Sequence, residues 1–123
     1  MRIILIADDE PSLRLLVAAT VASEAYAVVE AADGDEAWAV IKQQRPQVAL
    51  LDVQMPGRTG LDLTRAIRGA PDLTAMKVVL LSSKGQQADI QAGMAAGADR
   101  YLTKPFSPLE LLAAVEQELG STP

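Results

Sequence analysis

The 123-residue chain contains no cysteine and no histidine. Without cysteine, the fold cannot rest on a disulfide or on a thiolate metal site. Without histidine, there is no imidazole to serve as base, metal ligand or phosphoryl carrier, so Ser-His-Asp and Cys-His catalysis are both excluded. Long apolar runs are missing too. The N-terminal run is too short for a signal peptide and stops at Asp8-Asp9. No run approaches a membrane span, so a cytoplasmic protein with no membrane contact is expected. Cations are in the minority, 11 Lys and Arg against 16 Asp and Glu, for a net charge of −5. An acidic chain binds a phosphate backbone poorly, and direct nucleic-acid binding is not expected. The length suits a single domain over residues 1–123, with a core that needs no staple.

What the chain does contain is a regular alternation. Residues 2–7 (RIILIA), 48–52 (VALLD) and 77–82 (KVVLLS) are unbroken apolar runs of strand length, the pattern of strands buried on both faces of a parallel sheet. Residues 26–31 (YAVVEA) and 99–103 (DRYLT) are weaker strand candidates. Helical signals lie between them. Pro11 suits a first turn, and Leu13, Leu16, Val17 and Val21 follow at helical spacing. Asp33 and Glu36 resemble a capping box, with Ala37, Val40 and Ile41 as the apolar stripe. A third helix starts near Thr59, with Leu61, Leu63 and Ile67 inward. A fourth runs from about Gln86 to Ala96 with Gly97 as its C-terminal cap. Ser107-Pro108-Leu109-Glu110 combines cap, first-turn proline and capping-box acid, with Leu112, Val115 and Leu119 inward. Five strands alternating with five helices imply an α/β, doubly wound parallel sheet.

Ligands of such sheets bind beyond the carboxyl ends of the strands. There the sequence places Asp8 and Asp9, Asp52, Ser82 and Ser83, and Lys104. If the first and third strands are neighbours, three carboxylates converge. Their repulsion calls for a hard dication and a lysine, and Mg²⁺ suits oxygen ligands of this kind. A carboxylate so placed can attack a phosphoryl group, with the equatorial oxygens shared among cation, Lys104 and a serine hydroxyl.

Asp8-Asp9, Leu51-Asp52-Val53-Gln54-Met55-Pro56-Gly57, Ser82 and Thr103-Lys104-Pro105-Phe106 together resemble the receiver domains of response regulators in two-component signalling. The resemblance covers essentially the whole chain. It implies the flavodoxin-like strand order 2-1-3-4-5. It implies that Asp52 accepts a phosphoryl group from a sensor histidine kinase or a histidine phosphotransfer protein and later loses it by self-dephosphorylation. The chain would then be a phosphoacceptor rather than an enzyme turning over a separate substrate. Asp9 is implied as a direct ligand of Mg²⁺ (or Mn²⁺ in its place), Asp8 as a ligand through water, and the Gln54 backbone carbonyl as a further ligand. Ser82 is implied as the hydroxyl that moves to the phosphoryl oxygen, Tyr101 as the aromatic that follows it, and Lys104 as the phosphoryl partner with a cis bond to Pro105. Gln54 and Lys84 match positions that tune hydrolysis. An unknown downstream protein is expected on the face of the fourth helix, fifth strand and fifth helix, with Tyr101, Ile90 and Phe106 as candidates.

Each feature alone has a plainer reading. Asp8 and Asp9 could cap the following helix, Asp52 could belong to a turn, and Lys104 could be a solvated surface lysine. Met76 and Met94 read as core filler, and Trp38 as packing far from the strand-end edge. A phosphate-independent scaffold of the same fold is the main alternative function. A flavin carrier would need a neutral phosphate loop where Asp8-Asp9-Glu10-Pro11 stands. A dehalogenase-like phosphohydrolase would need an Asp-x-Asp nucleophile on the first strand.

Overall fold

The computed structural model describes residues 2–22 and 26–120. Strand and helix alternate as β1 (Arg2–Ala7), α1 (Pro11–Val21), β2 (Tyr26–Ala31), α2 (Gly34–Gln44), β3 (Val48–Asp52), α3 (Gly60–Gly69), β4 (Lys77–Ser82), α4 (Gln87–Ala96), β5 (Arg100–Thr103) and α5 (Pro108–Gly120). All strand pairs are parallel, and the sheet order is β2-β1-β3-β4-β5, as the resemblance implies. Because β1 and β3 are neighbours, with Ala7 opposite Leu51, the carboxylates that follow or end them share one edge. Asp52 opposes Leu81 and Ser82 opposes Thr103, which brings β4 and β5 to the same edge.

The central strands carry apolar residues at consecutive positions because both of their faces are covered. Side chains alternate between two cores. Leu5, Ala7, Ala49, Leu51, Val78 and Leu80 pack with Ala37 and Ile41 of α2 and with Leu63 and Ile67 of α3. Ile4, Ile6, Val48, Leu50, Val79 and Leu81 pack with Val17 and Val21 of α1 and with Leu111, Val115 and Leu119 of α5.

The helix boundaries follow local chemistry. Pro11 opens α1, and Asp33 accepts a hydrogen bond from the Glu36 backbone N–H at α2. At α3 the capping box is reciprocal: the Asp62 N–H donates to Thr59 Oγ1 and the Thr59 N–H donates to Asp62 Oδ2, both at 3.1 Å. Ser107 and Glu110 exchange the same pair of bonds before α5. Gly97 ends α4 at φ 113°, a conformation that favours glycine.

Several sequence expectations need correction. Leu16 is 54 % exposed and Met94 is 44 % exposed, so neither is core; α1 and α4 present them to the surface. Leu61, Val40 and Leu112 are only half-buried, whereas Leu111, absent from the expected stripe, is fully buried. Helix α4 starts at Gln87 with Gln86 as its cap, and β5 starts at Arg100. Trp38 does not lie far from the strand-end edge. Its ring is approached by Arg58, in the loop that leaves β3 at that edge.

Two predictions come from these contacts. A Cβ on Gly34 would lie 1.8 Å from the Arg58 carbonyl oxygen, so the two backbones must part to admit it. Gly34→Ala should lower stability by about 3 kcal/mol in urea unfolding. The Asp62 carboxyl is held below its usual range, first by the Thr59 backbone N–H and then by the Thr59 hydroxyl. A depressed carboxyl stabilises the fold above its unfolded pKa and loses that effect as the pH falls through the folded value. The stability gap between the parent and Asp62→Asn should therefore narrow as the pH drops below about 4.

Candidate metal centre at the strand ends

Strands β1 and β3 deliver the acids. Asp8 follows β1 directly, and its backbone N–H is fixed by the carbonyl of Ala31 at the end of β2. Its side chain is wholly buried, with Oδ1 accepting from the Glu10 N–H at 2.9 Å. Asp9 beside it is exposed. Asp52, 6 % exposed, closes β3 and accepts from the Gln54 N–H at 3.1 Å. Ligand atoms of Asp8, Asp9 and Asp52 all lie within 4.8 Å of one another. The capping role considered for Asp8 and Asp9 is not what the structure shows: the cap of α1 is Glu10, without a side-chain cap bond.

Lys104 enters from the end of β5. Its Nζ donates to Asp8 Oδ2 and to Asp52 Oδ2, each at 3.1 Å. The Lys104 N–H donates to the Ser82 carbonyl at 2.7 Å, which ties this stretch to β4. The bond from Lys104 to Pro105 is cis. Burial pushes the Asp52 carboxyl up and the charge of Asp8 adds to this; the Gln54 N–H and Lys104 pull against the rise without cancelling it. Burial works against the Lys104 ammonium, yet its bonds to Asp52 and Asp8 and their charges hold it above the usual lysine value. One ammonium facing three carboxylates leaves the cluster short of positive charge. Three oxygen donors at one sheet edge, undercompensated by a single lysine, fit a hard dication such as Mg²⁺.

The remaining expected residues sit around this centre. Ser82 is buried, and its Oγ accepts from the Lys84 N–H at 3.0 Å. Lys84 is exposed and makes no ion pair among the described residues. The Tyr101 hydroxyl donates to the Lys84 carbonyl at 2.6 Å, so the β4–α4 loop is bonded at both ends of that residue. Gln54 is exposed on the loop after Asp52. Arg14 is a member that sequence reasoning missed. It donates to the Asp8 carbonyl at 2.8 Å and pairs with Glu30 at 3.1 Å, bracing the turn after β1. An arginine inside an amphipathic helix gives no sign of this in the sequence.

Comparison with known proteins settles what kind of domain this is. The family model of the response regulator receiver domain matches residues 4–116. The chain belongs to this family. It is 37 % identical to response regulator GtcR of Aneurinibacillus migulanus over 94 % of this chain and 47 % of that one. It is 36 % identical to the phosphate regulon transcriptional regulatory protein PhoB of Pseudomonas aeruginosa over 97 % of this chain and 52 % of that one. The chain thus spans about half the length of these curated relatives. Among solved structures, the receiver domain of Francisella response regulator 1452 superposes with a TM-score of 0.91 at 28 % identity, covering 100 % of both chains. The chemotaxis response regulator CheY4 of Vibrio cholerae superposes with a TM-score of 0.88 at 34 % identity, over 96 % of this chain and 98 % of that one. The family binds Mg²⁺ at an acidic pocket, and this receiver domain carries an acidic cluster that could hold a metal ion. No helix among the described residues is long and apolar enough to cross a membrane.

The lysine makes this centre testable without a partner protein. Lys104→Ala removes two charge-assisted bonds from buried acids and should destabilise the metal-free receiver domain by about 1.5–3 kcal/mol. Millimolar Mg²⁺ should raise the thermal midpoint of that variant by more than it raises the parent's, because the cation supplies the charge that was lost.

Proposed function

We propose that the chain is a phosphorylation-dependent signalling switch whose phosphoacceptor is Asp52. The observation that carries the reading is the pair of Lys104 bonds, one to Asp8 and one to Asp52, beside a third carboxylate within ligand distance. The donor phosphohistidine would be that of a sensor histidine kinase or a phosphotransfer protein, since these 123 residues hold no histidine. The P–N bond of the donor breaks as an Asp52 carboxylate oxygen forms the new P–O bond, and the leaving imidazole takes up a proton. Bound Mg²⁺ would neutralise phosphoryl oxygens during transfer and hydrolysis. Asp9 would hold it directly, Asp8 through water, with Asp52 and the Gln54 backbone carbonyl completing the protein ligands. Lys104, already on Asp52, would turn one of its donors to a phosphoryl oxygen.

Ser82 would respond to the same charge. Its Oγ now accepts from the Lys84 N–H, and its own hydroxyl proton would turn to donate to a phosphoryl oxygen. The bond from Tyr101 to the Lys84 carbonyl belongs to the same loop, so the aromatic would move with it. Exposed Lys84 and Gln54 would flank the acceptor and alter access of the hydrolytic water. The downstream partner would read α4, β5 and α5, with Tyr101, Ile90 and Phe106 in reach. The reading also carries the expectation of a cytoplasmic protein.

Intact-protein mass spectrometry after incubation with acetyl phosphate tests this. A single Mg²⁺-dependent, base-labile phosphoryl adduct is expected on the parent and none on Asp52→Asn, whose fold should be unchanged by circular dichroism. An unmodified parent that also fails to bind Mg²⁺ or beryllofluoride would point instead to a phosphate-independent scaffold.

A further inference from the structure

The loop from Val53 to Thr59 carries Gln54 away from Asp52 and is gripped by the first turns of α2. The Gly34 N–H donates to the Pro56 carbonyl at 3.0 Å. The Asp35 carboxylate lies against Gly57, so close that a Cβ there would meet Oδ2 at 2.6 Å, and Gly57 takes φ 76° to turn beneath it. Arg58 then reaches back to α2. Its Nε is 3.6 Å from Asp35 Oδ1 and its guanidinium lies 5.2 Å from the centre of the Trp38 ring. Lys42 approaches the same ring at 5.5 Å, so two cations lie against the indole of the chain's one tryptophan. None of these groups touches the acidic cluster.

We propose that Arg58 and Trp38 are positioning residues that set the affinity of the acidic centre by clamping the loop of Gln54 to α2. The proposal rests on the reading of Asp8, Asp9, Asp52 and Gln54 as the Mg²⁺ site. A carbonyl ligand on a turn is useful only in the fraction of molecules in which the turn is in place, and apparent affinity falls with that fraction. The backbone bond from Gly34 to Pro56 fixes the middle of the turn. Beyond it, the side-chain links from α2 to Arg58 are a cation on an aromatic face and a weak ion pair, both half-exposed. Losing them should loosen the turn that carries Gln54 while leaving its fold.

The experiment is calorimetric Mg²⁺ titration of the full chain for the parent, Arg58→Ala, Arg58→Lys and Trp38→Leu, with urea midpoints measured alongside. Arg58→Ala and Trp38→Leu should each bind Mg²⁺ about two- to fivefold more weakly, the effect of an exposed cation–aromatic contact. Arg58→Lys should recover most of the loss, because a cation returns to the ring. Trp38 emission in the parent should change with the same Mg²⁺ midpoint that calorimetry gives, and this response should vanish in Arg58→Ala. Parent-like Mg²⁺ binding by Arg58→Ala would overturn the clamp, as would an Arg58→Lys no better than Arg58→Ala. A parent that binds no Mg²⁺ would instead overturn the reading of the acidic centre, and the clamp with it.

Discussion

Three carboxylates whose oxygens lie within 4.8 Å of one another repel strongly, and one of them, Asp8, is wholly buried. That repulsion is tolerated because Lys104 bridges Asp8 and Asp52 and because backbone N–H groups of Glu10 and Gln54 solvate the acids from within. Much of the architecture serves to bring the lysine there. It ends the edge strand β5, two strands away from β3, and a parallel sheet is the arrangement that delivers separate strand ends to one edge. An antiparallel arrangement of the same segments would send alternate ends to opposite poles. The residual negative charge suits the cluster to a dication.

A second consequence concerns how information leaves such a site. The acids sit at the ends of the inner strands β1 and β3 and Lys104 follows the edge strand β5, but Ser82 and Lys84 sit where β4 gives way to a loop. There the holding bonds are few: the Lys84 N–H to Ser82 Oγ, and the Tyr101 hydroxyl to the Lys84 carbonyl. Both would be disturbed by a single change in what Ser82 bonds. Farther along, α4 is anchored at its other end, where Arg68 donates to the Gly97 carbonyl at 2.8 Å and pairs with Asp99 at the same distance.

The grip of α2 on the β3–α3 loop is of another kind. Close backbone approach at Gly34 and the positive φ of Gly57 make that turn specific to glycine at two points, whereas Arg58 and Trp38 add a softer, tunable contact. Hard constraints set the path of the loop and soft ones set how firmly it is held, so affinity can vary without loss of fold.

The element order, the class of sheet and the acidic edge were legible in the chain. Apolar runs of strand length, glycine, proline and capping residues are local signals, and local physics reads them directly. The order of the strands came from resemblance, since periodicity says nothing about which strands pair. Leu16, Met94 and Trp38 were misplaced for the same reason. Hydrophobicity ranks a residue's preference for burial but does not give the direction in which a helix lies on its sheet, and α1 turns Val17 and Val21 inward but leaves Leu16 outside. Arg14 under Asp8 and Arg58 over Trp38 were likewise invisible. Each depends on two segments distant in sequence meeting at a particular angle, and that is set by packing of the whole molecule. The chain encodes its acids, its lysine and their strand ends locally; their mutual distances, and therefore their chemistry, exist only once the sheet is assembled.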